Sequence, residues 1–165
     1  MDIAAAAHRG QVDKAGNPYL HHPARVAEAV WAATGNLTTT AVALLHDVIE
    51  DGGHTVDSLR NLGMPSQVAY AVDSLSRRKG ETPEDYYARV RSNRTAHQVK
   101  YYDIADNTDP SRLAHLDGDT RDRLTRKYAK ALALLDIDDG PDEEEAATLI
   151  LMGDAGSLLD TPVKN

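Results

Sequence analysis

The chain contains no cysteine, no phenylalanine and a single tryptophan. Without thiols, neither a disulfide framework nor a thiolate metal site is available, so any metal must be held through nitrogen and oxygen. No stretch approaches the roughly 20 apolar residues that a membrane helix requires. The opening Met1-Asp2 also lacks the basic, apolar, small-residue order of a signal peptide. A cytoplasmic protein with no membrane partner is therefore expected. Positive charge is scarce as well: 18 Lys and Arg stand against 26 Asp and Glu, a net charge of −8. That deficit argues against nucleic acid polymers as partners, since they are bound through a basic face. A small anionic ligand is still compatible with it, because a cleft concentrates Lys, Arg and metal charge locally.

What the chain does have is Ala, Leu, Val and Ile spread among good helix formers, in 165 residues. The length suits one domain with a sizeable core, and the composition predicts an all-α bundle. Periodicity and punctuation predict helices over 3–12, 24–34, 41–51, 55–62, 65–75, 83–92, 94–108 and 120–135. In the second of these, Val26, Ala27, Val30 and Trp31 fall on one side. Pro23 suits the first turn of that helix, which puts His22 at its entrance. Thr38 to Thr40 offer N-caps for the third helix, and Gly52-Gly53 is expected to end it. Residues 13–19 are dense in turn formers, while 76–82 form a polar loop with a local positive cluster. Residues 1–135 are expected to form the domain. Residues 136–165 then form an acidic link and extension, with a short apolar helical stretch at 146–152.

The stretch Leu-Leu-His-Asp-Val-Ile-Glu-Asp at 44–51 is the chemically dense one. On a helix, His46 lies one turn before Glu50 and Asp47 one turn before Asp51, so three carboxylates and an imidazole share a patch. Acidic groups at a helix C-terminus also oppose the macrodipole, and the arrangement asks for a cation. A second acidic signal lies further on, where Val99, Asp103 and Asp106 follow an i, i+4, i+7 spacing. Two carboxylates thus fall on an apolar stripe, and at least one needs a partner in the interior. Candidate ligands for a divalent metal are then His22, His46, Asp47, and Asp103 or Asp106. Two imidazoles and two carboxylates suit an open, five- or six-coordinate first-row ion better than a closed structural zinc site. Glu50 and Asp51 lie close enough to serve a water at such an ion without being ligands.

These residues resemble the HD-domain phosphohydrolases, specifically the hydrolase domain of RelA/SpoT-type alarmone enzymes and the stand-alone small alarmone hydrolases. The resemblance rests on three blocks in the family's order. They are Ala-His-Arg-Gly-Gln-Val-Asp-Lys-Ala-Gly-Asn-Pro-Tyr-Leu-His-His-Pro at 7–23, the 44–51 stretch, and Val-Lys-Tyr-Tyr-Asp-Ile-Ala-Asp-Asn at 99–107. The ordered set is far more specific than any one block. It implies an HD-domain helical bundle with His22, His46, Asp47 and Asp103 as metal ligands, and Mn2+ as the metal. The resemblance picks His22 over His21 and Asp103 over Asp106. It makes Glu50 and Asp51 the catalytic acidic pair, and places Arg9, Lys14, Tyr19, Lys100 and Asn107 around the nucleotide substrate.

Two positions depart from the family's pattern. Asp13 stands where guanosine-alarmone hydrolases usually carry an Arg that packs against the base, and Asp106 stands where they commonly have a different polar residue. The implied activity is removal of the 3′-pyrophosphate from an alarmone such as guanosine tetraphosphate. No synthetase domain fits in this length, so degradation alone is expected. Asp13 makes hydrolysis of an adenosine-based alarmone or another phosphoester the rival reading. A non-catalytic nucleotide sensor is a rival from another class. A metal oxygenase would need a second metal, for which His8, His21 and His54 are the spare histidines.

Overall fold

The computed structural model describes residues 2–13 and 16–137, and among them the fold is all-α. The elements run α1 (Asp2–Ala7), α2 (His21–Thr34), α3 (Leu37–Leu45), α4 (Val56–Asn61), α5 (Ser66–Leu75), α6 (Pro83–Arg91), α7 (Arg94–Asn107), α8 (Pro110–Leu113) and α9 (Gly118–Leu135). Most begin on a side chain that accepts an otherwise unpaired first-turn amide. Asn36 takes Thr39 N–H, Thr82 takes Asp85 N–H, Asn93 takes Ala96 N–H and Asp117 takes Thr120 N–H. Thr55 and Ser58 cap α4 reciprocally. The cap of α3 is thus Asn36 rather than the threonines that follow it.

Helices α2, α3 and α7 pack against one another at the centre. Val26 and Val30 of α2, Val42 and Ala43 of α3, and Val99 and Ile104 of α7 are buried there. Helix α5 adds Val68 and Val72, α6 adds Tyr86 and Val90, and α9 closes the far side with Leu124 and Leu135. Trp31, expected on the buried side of α2, is 48% exposed. It sits one position past the Val26–Val30 stripe, and this core is filled by small aliphatic side chains.

Two helices are shorter than periodicity predicts. The first ends at Ala7 and passes into turns. The third ends at Leu45 instead of running to residue 51. His46 Nδ1 donates to the Ala43 carbonyl at 2.7 Å, the acceptor that the amide of residue 47 would take in a continuing helix. The chain goes on as separate turns, Val48 N–H to Leu45 O at 3.0 Å and Asp51 N–H to Asp47 O at 2.8 Å. That second bond keeps Asp51 one turn beyond Asp47. Gly52 is required where these turns meet α1, because a Cβ there would lie 2.6 Å from Val48 O and 2.7 Å from the Ala7 Cβ. Gly53 follows with φ +70, a conformation that favours glycine.

The chain after α7 makes one more short helix, α8, at Asp109-Pro110. Asp109 accepts the amides of Ser111 and Arg112, and Pro110 occupies the first turn. Beyond Asp136 and Ile137, the expected acidic extension lies outside the described residues, its helical stretch at 146–152 included. No helix among the described residues is long and apolar enough to cross a membrane.

Candidate metal centre

His22 enters from the first turn of α2, His46 from the end of α3, and Asp103 from the middle of α7, all three buried. One ligand atom from each lies within 4.8 Å of the other two. His22 Nε2 is 3.1 Å from Asp103 Oδ1, and His46 Nε2 is 3.7 Å from the same oxygen. Asp47 stands at the rim of this set, its Oδ2 3.0 Å from His46 Nε2 and 3.9 Å from His22 Nε2. The donor chemistry fits a cation. With its Nδ1–H spent on the Ala43 carbonyl, a neutral His46 presents a lone pair at Nε2, and that atom is buried without a hydrogen-bond partner. A lone pair facing two carboxylates is repulsive unless a proton or a metal ion lies between them.

The electrostatics agree. Burial alone would depress the His46 pKa, but the Asp47 charge and the nearby Asp103 overcome it and lift it to about 9. Burial would likewise raise Asp47, yet His46 draws it down to about 2. Asp103 is held well below the usual carboxylate range, against the effect of burial, by Lys100, His22 and His46. A folded-state pKa of about 9 against an ordinary 6.5 means that the His46 proton stabilises the metal-free protein. That contribution is complete below pH 6.5 and is lost as pH rises through 9. A metal ion takes the same place, so loading at pH 7 is expected to expel about one proton or more per ion. Calorimetric titrations in buffers of different ionisation enthalpy measure that number. Heats independent of buffer would place the ion away from His46.

His22, Asp47 and Asp103 of this set line a cleft of about 640 Å³, with His46 buried behind them. Glu50 and Asp51 line it, joined by Arg25, Arg77, Arg112, Lys127 and the rings of Tyr86, Tyr87 and Tyr128. Glu50 Oε2 accepts the Arg77 amide at 2.7 Å, which pins the 76–82 loop against the cleft. That loop is itself tied back by Arg89, whose guanidinium donates to Glu81 and to the carbonyls of Asp73, Ser74 and Ser76. The Asp51 carboxyl is raised by burial and by its neighbours Asp47 and Glu50.

Several residues expected around the substrate are engaged by the carboxylates of the centre. Tyr19 Oη donates to Asp47 Oδ2 at 2.5 Å, Lys100 Nζ to Asp103 Oδ2 at 2.6 Å, and Asn107 Nδ2 to Asp103 Oδ1 at 2.6 Å. All three also line the cleft. Arg9 is exposed and is not among the lining residues, and Lys14 lies outside the described residues. Asp13 does face the cleft, where its Oδ1 accepts the Asn17 amide and its Oδ2 is 3.8 Å from Arg112 Nη2. Of the spare histidines, His21 is exposed and His54 bonds Ser58, whereas His8 is buried beside Tyr19 and Gln11.

An all-α bundle that gathers His22, His46 and Asp103, with Asp47 at their rim, beside a polar cleft offers nitrogen and oxygen donors that could hold a divalent metal. A family model described as HD domain matches residues 1–102, and the chain belongs to the HD-domain family. The chain is 33% identical over 142 residues to a guanosine-3′,5′-bis(diphosphate) 3′-pyrophosphohydrolase of Vibrio cholerae, covering 81% of this chain and 20% of that protein. The Haemophilus influenzae protein of the same name is 31% identical over 134 residues, 76% of this chain and 20% of its own length. A bifunctional (p)ppGpp synthase/hydrolase SpoT of Escherichia coli matches at 31% over 134 residues, 76% and 19%. The chain thus spans about a fifth of the length of these relatives.

Proposed function

We propose that this chain is a divalent-metal-dependent phosphohydrolase that removes the 3′-pyrophosphate from an alarmone nucleotide. Guanosine tetraphosphate is the leading substrate and Mn2+ the leading metal. The observation that carries this reading is the convergence of His22, His46 and Asp103, two of which, His22 and Asp103, line a cleft that also holds Glu50 and Asp51. The names of the relatives supply the substrate class. His22, His46, Asp47 and Asp103 hold the ion, which supplies Lewis-acid activation of water and of a phosphoryl oxygen. Tyr19, Lys100 and Asn107 fix the two ligand carboxylates in place by the hydrogen bonds described above. Glu50, anchored through one oxygen by the Arg77 amide, orients the attacking water with the other. Asp51, with its carboxyl raised, holds a proton more readily than an ordinary aspartate and delivers it to the leaving oxygen.

A second reading, an adenosine-based alarmone, is favoured by one observation. The carboxylate of Asp13 and the guanidinium of Arg112 face each other on the cleft wall where the family resemblance expects an Arg at position 13. Incubating the purified chain and Mn2+ with guanosine and adenosine tetraphosphates, and measuring pyrophosphate, separates the two. Release from the guanosine compound, lost in His46→Ala, is expected. Release from the adenosine compound alone transfers the assignment to the second reading. Tight binding with no release from either would make the chain a sensor, and full activity in His46→Ala would remove the metal assignment.

A further inference from the structure

Asp106 is absorbed by neither the metal set nor the acidic pair, yet it is among the most heavily bonded side chains of the cleft. Its Oδ2 accepts His22 Nδ1–H at 2.7 Å and Arg112 Nη1–H at 2.5 Å. Arg25 adds Nε to Oδ1 at 2.7 Å and Nη2 to Oδ2 at 3.1 Å. The Asp106 side chain is 11% exposed and that of His22 is 5%. Residues 22 and 106 come from α2 and α7, the helices that meet at the centre of the bundle.

We propose that Asp106 is a positioning residue that fixes the His22 imidazole for metal binding. A carboxylate can only accept, so the bond at Nδ1 requires the proton there and leaves Nε2 as the atom that faces Asp103 and His46. The negative charge behind the ring also makes Nε2 a better donor to a cation. His46 is oriented in the same manner by a neutral backbone carbonyl. The two imidazoles therefore differ in that only His22 has an anion behind it. Arg25 and Arg112 offset the cost of burying that anion.

The proposal rests on the metal-binding reading of His22, and its test keeps the two apart. Mn2+ affinity is measured by calorimetric titration on the purified chain, and the Co2+-loaded protein is examined by visible absorption. Asp106→Asn removes the charge but keeps the shape. It is expected to weaken Mn2+ binding by about 10–100-fold and to shift the Co2+ bands. Arg25→Gln removes two of the bonds to Asp106 but leaves the His22–Asp106 bond and the Arg112 bond in place, and is expected to lose less Mn2+ affinity than Asp106→Asn and to keep the wild-type bands. If Asp106→Asn binds as the wild type does, the proposal is overturned. Equal losses in Asp106→Asn and Arg25→Gln overturn it too, because Asp106 would then be a tie between helices only. A wild-type chain that takes up no ion removes the metal reading itself, and a loss confined to Asp106→Asn cannot arise in that case.

Discussion

Asp51→Asn is expected to lower the turnover of the proposed hydrolysis by about 10²–10⁴-fold, the range associated with loss of a positioned acid or base, while Mn2+ binding stays at the wild-type level. The distinction follows from where Asp51 sits. It lies one hydrogen-bonded turn beyond Asp47, through Asp51 N–H to Asp47 O at 2.8 Å, and lines the cleft without belonging to the ligand group. Its carboxyl is raised by burial, then by Asp47 and Glu50. A raised acid holds a proton where an ordinary aspartate has lost one, and can deliver it to a departing phosphate oxygen. Asparagine preserves both backbone bonds of residue 51, including the one its carbonyl accepts from Gln11 at 3.0 Å, so the turn keeps its form. It has no proton of useful acidity. The pH profile of turnover should lose one limb in the variant. Single-turnover measurements beside a metal titration check this. Retained turnover would remove Asp51 from the chemistry, and weakened Mn2+ binding would make it a ligand instead.

The architecture was largely legible in the sequence because the core is built from aliphatic residues at helical spacing. Val26 with Val30 and Val68 with Val72 announce helices by pattern alone. Pattern failed at the end of α3. The apolar run from Ala41 through Val48 and Ile49 continues past Leu45, while the backbone is diverted by a side-chain bond from His46 that hydrophobicity does not record. It failed again at Asp109-Pro110, a pair that breaks one helix and, with Asp109 as cap, begins another. Within the site, two contacts could have been inferred from spacing. Lys100–Asp103 and Asn107–Asp103 are i, i+3 and i, i+4 pairs on one helix, so their engagement with each other was visible before any pocket was considered. Tyr19 with Asp47, and His22 with Asp106, join residues 28 and 84 positions apart, and only the packing of α2 on α7 brings the second pair together. For the same reason nothing in the sequence singles out Arg25 or Arg112, which the fold sets on the Asp106 carboxylate.

Lys100→Met should cost the metal-free protein about 3–5 kcal/mol of folding stability, the usual consequence of stripping one partner from a buried ion pair. Lys100 Nζ donates to Asp103 Oδ2 at 2.6 Å, and the side chains are 15% and 6% exposed. Burial opposes both charges, yet each holds the other ionised: the Lys100 pKa is pushed well above its ordinary value and that of Asp103 well below. Methionine keeps the apolar stem against Tyr86, whose ring lies 5.6 Å from Nζ. The loss is therefore one of charge rather than packing. Asp103 then relies on His22 and His46, whose own protons are titratable, so the deficit should widen as pH rises through about 9, where His46 gives up its proton. A divalent ion changes the balance, because it offers Asp103 the countercharge that Lys100 no longer does and no longer competes with the ammonium for that carboxylate. Saturating Mn2+ should stabilise the variant more than the wild type and narrow the gap. Urea unfolding with and without the ion measures both quantities. A substrate contact made directly by Lys100 predicts the opposite pattern, a raised KM with stability unchanged, and a metal-free variant as stable as the wild type would show that the pair contributes nothing to the fold.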